Sequence, residues 1–379
     1  MKITIAIDSF KGSISSLQAG YAAKKGILDI YPDAVVSVCT LADGGEGTAT
    51  ALTEDLNGQM QYVDVTGPLG NTVKGFYGII DESQTAIIEM AAAAGITLVE
   101  ENLRNPLNTT TYGVGELILD AAKKGCRNFI IGIGGSATND GGIGMLTALG
   151  FAFLDSNGNN VSFYGKGLAD IAAIDDSKVN PLLKNCNFKI ACDVTNPLCG
   201  ENGCSAVFGP QKGATEQIVK DMDTWLSNFA DIAKQKYPNA DKNFAGAGAA
   251  GGLGFAFMTF LGSKLQSGVQ IVLEETKLEE KIKNSDIVIT GEGRLDSQTV
   301  MGKAPIGVAK LAKKYGKPVI AFSGCVTPDA DVCNEHGIDA FFPIVRSAVT
   351  LSEALNTENA KRNMESTVKQ VFNLINLLK

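Results

Sequence analysis

Six apolar segments of this chain each run directly into a polar, glycine-bearing loop. They are KITIAIDSFKGS, VVSVCTLADGGEGT, RNFIIGIGGSATNDGG, NFKIACDVTNP, DIVITGEGRLD and KPVIAFSGCV. Continuous Ile/Val/Ala runs suit strands buried on both faces, as in parallel sheets. Helical patterns lie between several of them. Val114, Leu117, Ile118 and Ala121 fall at i, i+3, i+4 and i+7, and Met364, Val368, Val371, Phe372 and Ile375 repeat that spacing near the end. Alternating strands and helices predict an α/β protein.

A chain of 379 residues has room for two or three domains of about 100–200 residues each. Its middle is built differently from its ends. YVDVTGPLGNTVKGFYGIIDESQTAIIEMA has closely spaced strand-like pieces with Gly-Pro and Gly-Asn turn signals, as in an antiparallel meander. The expectation is a discontinuous parallel-sheet, Rossmann-like domain formed by 1–65 plus 285–379. A mixed α/β domain, 66–284, is then inserted into it. GAGAAGGLGFAF reads as a glycine/alanine turn opening a tightly packed helix rather than as a linker.

Composition narrows the function classes. Thirty-three basic against 41 acidic residues give a net charge of −8, which argues against nucleic acid as a partner. No window of ~18 uninterrupted apolar residues and no secretory pattern in MKITIAIDSF are found, so a cytoplasmic protein without membrane association is expected. Eight cysteines without a C-x-x-C, and a single histidine, His336, give little from which to build a zinc ribbon, a cysteine protease or a Ser-His-Asp triad. Reduced, buried thiols are the expectation. Glycine is abundant, 43 residues, as in chains whose loops turn sharply or approach ligands.

Acids gather at the expected strand ends: Asp8, Asp43 and Glu46, Asp140, Asp193, and Glu292 with Asp296. Each alone reads equally well as a helix cap or turn former. Their recurrence points to ligands beyond the carboxyl ends of a parallel sheet. Clustered carboxylates need cations, and Lys11, Arg294 and Lys303 stand in the same loops. Glycine-rich backbone, carboxylates for Mg²⁺ and fixed cations are the parts of a phosphoryl-transfer site.

A nicotinamide-dependent dehydrogenase of a small hydroxy acid is the principal alternative. IGIGGSATNDGG satisfies G-x-G-x-x-[GA], and Asp155 lies 23 residues after Gly132, near where a ribose-binding acid belongs. Gly141, Gly142 and Gly144 oppose it, each costing a following helix roughly 1 kcal/mol relative to Ala. A non-catalytic sugar-acid sensor is the third reading. A Walker A loop is excluded, because Ser297 and Ala304 occupy positions that need Gly and Ser/Thr around Gly302-Lys303, and no H-R-D exists.

Taken together, AIDSFKGSISS, LADGGEGT, VTGPLG, GIGGSATNDGGIGMLTALG, CDVTNPLCGENGCSAVFGPQKGA, GAGAAGGLGFAF and DIVITGEGRLDSQTVMGKAPIGVAKLA resemble the bacterial type I glycerate kinases (glycerate 2-kinases) over essentially the whole chain. The resemblance implies ATP-dependent phosphorylation of D-glycerate, usually at the 2-hydroxyl, with Mg²⁺. It also implies two α/β domains, one discontinuous, with the active site in the cleft between them. Homo-oligomer formation stays open.

Glycerate carries a carboxylate and two hydroxyls, and this chemistry suggests roles by residue type. Arg294 suits the carboxylate, with Ser9 or Lys11 assisting. Lys11 suits the γ-phosphate. Asp193 and Asp296 are the candidate general bases, because no suitable histidine exists. Asp43 and Glu292 are the candidate Mg²⁺ ligands. Gly134, Gly135 and Ser136 are expected to donate to ATP phosphates, with Asn139 and Asp140 facing nucleotide or metal.

Overall fold

The computed structural model describes residues 1–41 and 47–378. The chain begins with β1 (Lys2–Ile7) and β2 (Val35–Thr40). It continues through β3 (Gln59–Thr66), β4 (Thr72–Ile80), β5 (Thr85–Glu89), β6 (Asn128–Gly132), β7 (Ala152–Leu154), β8 (Ala173–Asp175), β9 (Asn187–Ala191) and β10 (Lys264–Gln266). It ends with β11 (Ile287–Leu295), β12 (Val319–Val326) and β13 (Ala340–Pro343). Two compact units result, Met1–Asp43 with Val269–Lys379, and Gly44–Gly268.

The first unit carries an all-parallel five-stranded sheet of order β13-β12-β11-β1-β2. Side chains alternate between faces along a strand. Ile3, Ile5 and Ile7 therefore join one core with Ala19, Ala23 and Ile27 of helix Ser16–Leu28 and Met364, Val368 and Phe372 of helix Thr357–Leu377. Ala6 and Val288 join the opposite core with Val308, Ala309 and Ala312 of helix Ala304–Lys314. Coverage of both faces is why these strands read as unbroken apolar runs.

The second unit has a six-stranded sheet of order β10-β9-β6-β5-β4-β3. Strands β3, β4 and β5 form the expected antiparallel meander, while β5, β6, β9 and β10 run parallel. Helix Tyr112–Lys123 buries Val114, Leu117, Ile118 and Ala121 against this sheet's core, as its spacing predicts. In GAGAAGGLGFAF, Ala250, Gly251 and Gly252 take left-handed backbone before the regular turns begin. Strands β7 and β8 pair separately.

Both junctions between units fall earlier than the 65/66 and 284/285 expected from sequence. The reason at the first is register: β3 pairs along its whole length with β4, so it belongs to the second unit. At the second, Val269, Leu273, Leu278 and Ile282 pack into the core of the first unit's sheet, which draws two helices before β11 into that unit. All eight cysteines are free thiols, and His336 sits at the end of helix Val332–Glu335 with Nδ1 2.9 Å from Val332 O. No helix among the described residues is long and apolar enough to cross a membrane.

Candidate active site

The winding of the first unit's sheet reverses between β1 and β11. From β1 the chain steps to β2, whereas β11, β12 and β13 step the other way. In open α/β sheets ligands bind beyond the strands' carboxyl ends at such a reversal. Asp8 follows β1 there, its amide donating to Gly291 O at 2.8 Å, and Glu292 is the next residue on β11. Close strand approach is possible because position 291 is glycine: a Cβ there would lie 1.8 Å from Phe322 O on β12.

Glu292 is only 9% exposed. Thr299 Oγ1 donates to its Oε1 at 2.7 Å, and its Oε2 lies 3.4 Å from Lys303 Nζ. The Thr299 hydroxyl in turn accepts from the Asp296 amide at 3.2 Å. Asp296 Oδ1 accepts from the Gln298 amide at 3.0 Å and lies 3.6 Å from Lys303 Nζ, while its Oδ2 is 3.2 Å from Arg294 Nε. Two nearly buried carboxylates thus share one lysine and one threonine. Burial pushes the Glu292 carboxyl above its ordinary range, and the Thr299 hydrogen bond and Lys303 charge oppose that rise.

These residues border a cavity of about 460 Å³. Its lining includes the polar and charged Asp8, Ser9, Lys11, Glu292, Arg294 and Lys303 and the apolar Ile344, Val345, Leu351 and Leu355. Of the residues expected from sequence, Ser9, Lys11, Glu292 and Arg294 come together here, and Asp296 joins them through its ion pairs. Asp43 lies outside the described residues. Thr299 was not legible as a site residue, although its place three residues after Asp296 is a turn-capping signal.

The glycine-rich loop after β6 belongs to the second unit. Gly134 and Gly135 are exposed, and Gly135 has a left-handed φ of 72°, whereas Ser136, Thr138, Asn139 and Asp140 are buried. Asn139 and Asp140, expected to face nucleotide or metal, are thus buried within the loop. Asp140 accepts from Thr111 N and Oγ1 at 2.8 Å and from the amides of Gly142 and Gly144 at 3.1 and 3.3 Å. Burial raises its pKa, against the lowering effect of those donors. Asn139 Nδ2 donates to Ser205 Oγ at 2.9 Å. Both side chains brace the loop from within.

Lys212, which the sequence reading passed over, also lies beneath this loop. It donates to Ser136 Oγ and Thr138 O and is 2% exposed. Burial lowers its pKa to about 8, with Cys204 and Asp140 pulling the other way. Its glycine-bracketed setting, GPQKGA, is the one local hint of a special role. Asp193, after β9, is exposed and accepts from the Gly268 amide at 3.1 Å.

The dinucleotide-binding alternative loses its structural basis. Only six residues, Ile143–Ala148, form the helix after the loop, and Asp155 is occupied in a turn by the amides of Asn157 and Asn159. A pyrophosphate turn of that kind opens a long crossover helix. What remains is an α/β enzyme with paired carboxylates and cations at the reversal point of a parallel sheet, the equipment of phosphoryl transfer.

Residues 3–376 match the model of the glycerate kinase family. A glycerate 2-kinase of Escherichia coli strain K12 is 50% identical over 373 residues, 97% of this chain and 98% of that protein. A Bacillus subtilis glycerate kinase is 48% identical over 379 residues, 100% of this chain and 99% of that protein. A crystal structure of a glycerate kinase 2 candidate from Salmonella typhimurium LT2 superposes with a TM-score of 0.92 at 46% identity, covering 100% of this chain and 98% of that one. The chain belongs to the glycerate kinase family, and it is a kinase.

Proposed function

We propose that this enzyme transfers the γ-phosphoryl group of ATP to the 2-hydroxyl of D-glycerate, giving 2-phosphoglycerate and ADP. One observation carries the assignment of the chemistry to this site: the Glu292–Lys303–Asp296–Arg294 cluster stands at the sheet reversal of a glycerate kinase family chain. The 2-position follows the name of the Escherichia coli relative. In the reaction the hydroxyl oxygen forms a bond to the γ-phosphorus, the bond to the β,γ-bridging oxygen breaks, and the hydroxyl proton passes to a carboxylate.

Arg294, with its side chain 65% exposed in the cavity lining, is the partner for the glycerate carboxylate, and Ser9 lines the same cavity. Lys11, exposed and also in the cavity lining, is the cation for the γ-phosphate. We assign the general base to Asp193 rather than Asp296. Both carboxylate oxygens of Asp296 are already engaged, Oδ1 by the Gln298 amide and Lys303 and Oδ2 by Arg294, which suits it to holding those cations. Asp193 is exposed to solvent.

Among the described residues no group of three or more His, Cys, Asp or Glu side chains is arranged to hold a metal. Mg²⁺ needs no such group, since it commonly takes one or two carboxylates and completes its shell with phosphate oxygens and water. Glu292, a nearly buried oxygen donor in the cavity wall, is the residue to hold it, with Asp43 as the second expected ligand. When bound, Mg²⁺ neutralises charge on the phosphates.

Incubation with Mg·ATP and D-glycerate, followed by ³¹P NMR, tests the proposal. The expected product is 2-phosphoglycerate. Signal from 3-phosphoglycerate alone would overturn the regiochemistry, and absence of any phosphorylated glycerate would overturn the reaction.

A further inference from the structure

Two of the three protons on the buried Lys212 ammonium are directed at Ser136 Oγ, at 2.8 Å, and Thr138 O, at 2.6 Å. An ammonium only donates, so Ser136 Oγ is the acceptor and its own hydrogen must point away from Lys212. Among the described residues nothing accepts that hydrogen, and nothing accepts from the backbone N–H groups of Gly134, Gly135 or Ser136. Gly134 and Gly135 are exposed, so this turn reaches the surface, with Ser136 just beneath it at 7% exposure. Deeper in the same loop, Thr138 Oγ1 and Asn139 Oδ1 are buried without hydrogen-bond partners. Folded proteins leave few buried polar atoms unpaired, and such atoms concentrate where a ligand or strain is involved.

Consecutive amides turning through a left-handed residue form a concavity that binds anions. A desolvated cation behind them deepens the positive potential, because its field is weakly screened there. We propose that Lys212 is a positioning residue that makes the Gly134–Ser136 turn an oxyanion site, holding the Ser136 hydroxyl outward as a donor to a phosphate or carboxylate oxygen of substrate. The identity of that substrate rests on the phosphoryl-transfer reading above. The binding of an oxyanion does not.

Calorimetric titration with inorganic pyrophosphate and, separately, with D-glycerate tests the site without turnover. Wild-type protein is expected to bind one of them, and Ser136→Ala, a small change at a position with 7% exposure, to weaken that binding about tenfold to a hundredfold. Whichever probe responds identifies the source of the oxyanion. In steady-state kinetics the KM of the corresponding substrate rises by a similar factor in Ser136→Ala and in Lys212→Met, with a smaller change in kcat. Failure of wild type to bind either probe overturns the proposal. So does a loss of kcat with both KM values unchanged, which would mark Lys212 as a structural brace only. Probe binding that depends on Ser136, in a protein without kinase turnover, would overturn the reaction assignment and leave the oxyanion site standing.

Discussion

Thr299 Oγ1 donates its proton to Glu292 Oε1 at 2.7 Å while accepting the Asp296 backbone amide, so one hydroxyl ties the Glu292 carboxylate to the turn that carries Asp296. Thr299→Val keeps the side-chain shape and removes the donor. The buried Glu292 oxygen is then left without that partner, a loss of about 1–3 kcal/mol. We expect lower stability of that size in urea unfolding and a kcat reduced at least about tenfold, with Thr299→Ser restoring most of both. Wild-type kcat in Thr299→Val would remove Thr299 from the active machinery.

Gly291 tests how tightly that cluster depends on strand packing. A Cβ at this position meets Phe322 O at 1.8 Å, and the obstacle is the backbone of a central strand rather than a flexible side chain. Gly291→Ala is therefore expected to push β11 and β12 apart and to destabilise by about 1–3 kcal/mol or more. Glu292, the next residue, would move with the strand, so activity should fall further than stability alone explains. Unchanged denaturation midpoint and kcat would show that the strand adjusts without cost.

The strand ends were legible because their physics is local. An apolar run long enough to be buried on both faces, followed by glycine and an acid, marks β1, β6 and β11 and brings Asp8 and Glu292 into view. Strand β13, AFFP, is four residues with a terminal proline and carries no such signal. Direction of a side chain is a different matter. Asp140 follows its strand as Asp8 does, yet its partners Thr111 N and Oγ1 lie 29 residues away in sequence, and only folding shows that it points inward. Lys212 is the extreme case, meeting Ser136 across 76 residues. A lysine in a short turn looks solvated until a second segment covers it.

Asp193→Asn and Asp296→Asn, compared side by side, decide the general base. Asparagine retains the Oδ1 acceptor for the Gly268 amide at position 193, so the fold should persist. Removal of the base is expected to lower kcat by about 10²–10⁴-fold with little change in thermal midpoint. Asp296→Asn should instead weaken the ion pairs to Arg294 and Lys303 and raise KM for glycerate as Arg294 loses its orientation. Full kcat in Asp193→Asn would move the assignment to Asp296.

Lys212 also leaves a signature in the pH dependence of stability. In the folded protein its pKa falls to about 8, chiefly through burial, with Asp140 of the loop and Cys204 of helix Cys204–Phe208 as the charged or titratable groups that oppose the fall. The unfolded chain holds that proton up to its ordinary value of 10.5. Between these two values the unfolded state binds more protons, so the lysine's contribution makes stability rise with pH. Below pH 8 both states are charged and above 10.5 both are neutral, and the contribution is flat. The Cys204 thiol, pushed up to about 12 by burial against the lowering effect of Lys212, acts with the opposite sign above its unfolded value of 9.0, and its burial part is common to wild type and Lys212→Met. The unfolding free energy of wild type minus that of Lys212→Met should therefore increase by up to about 3 kcal/mol across this window, read from urea midpoints at half-unit pH steps. A flat difference would mean that the ammonium is solvated rather than buried beneath Ser136.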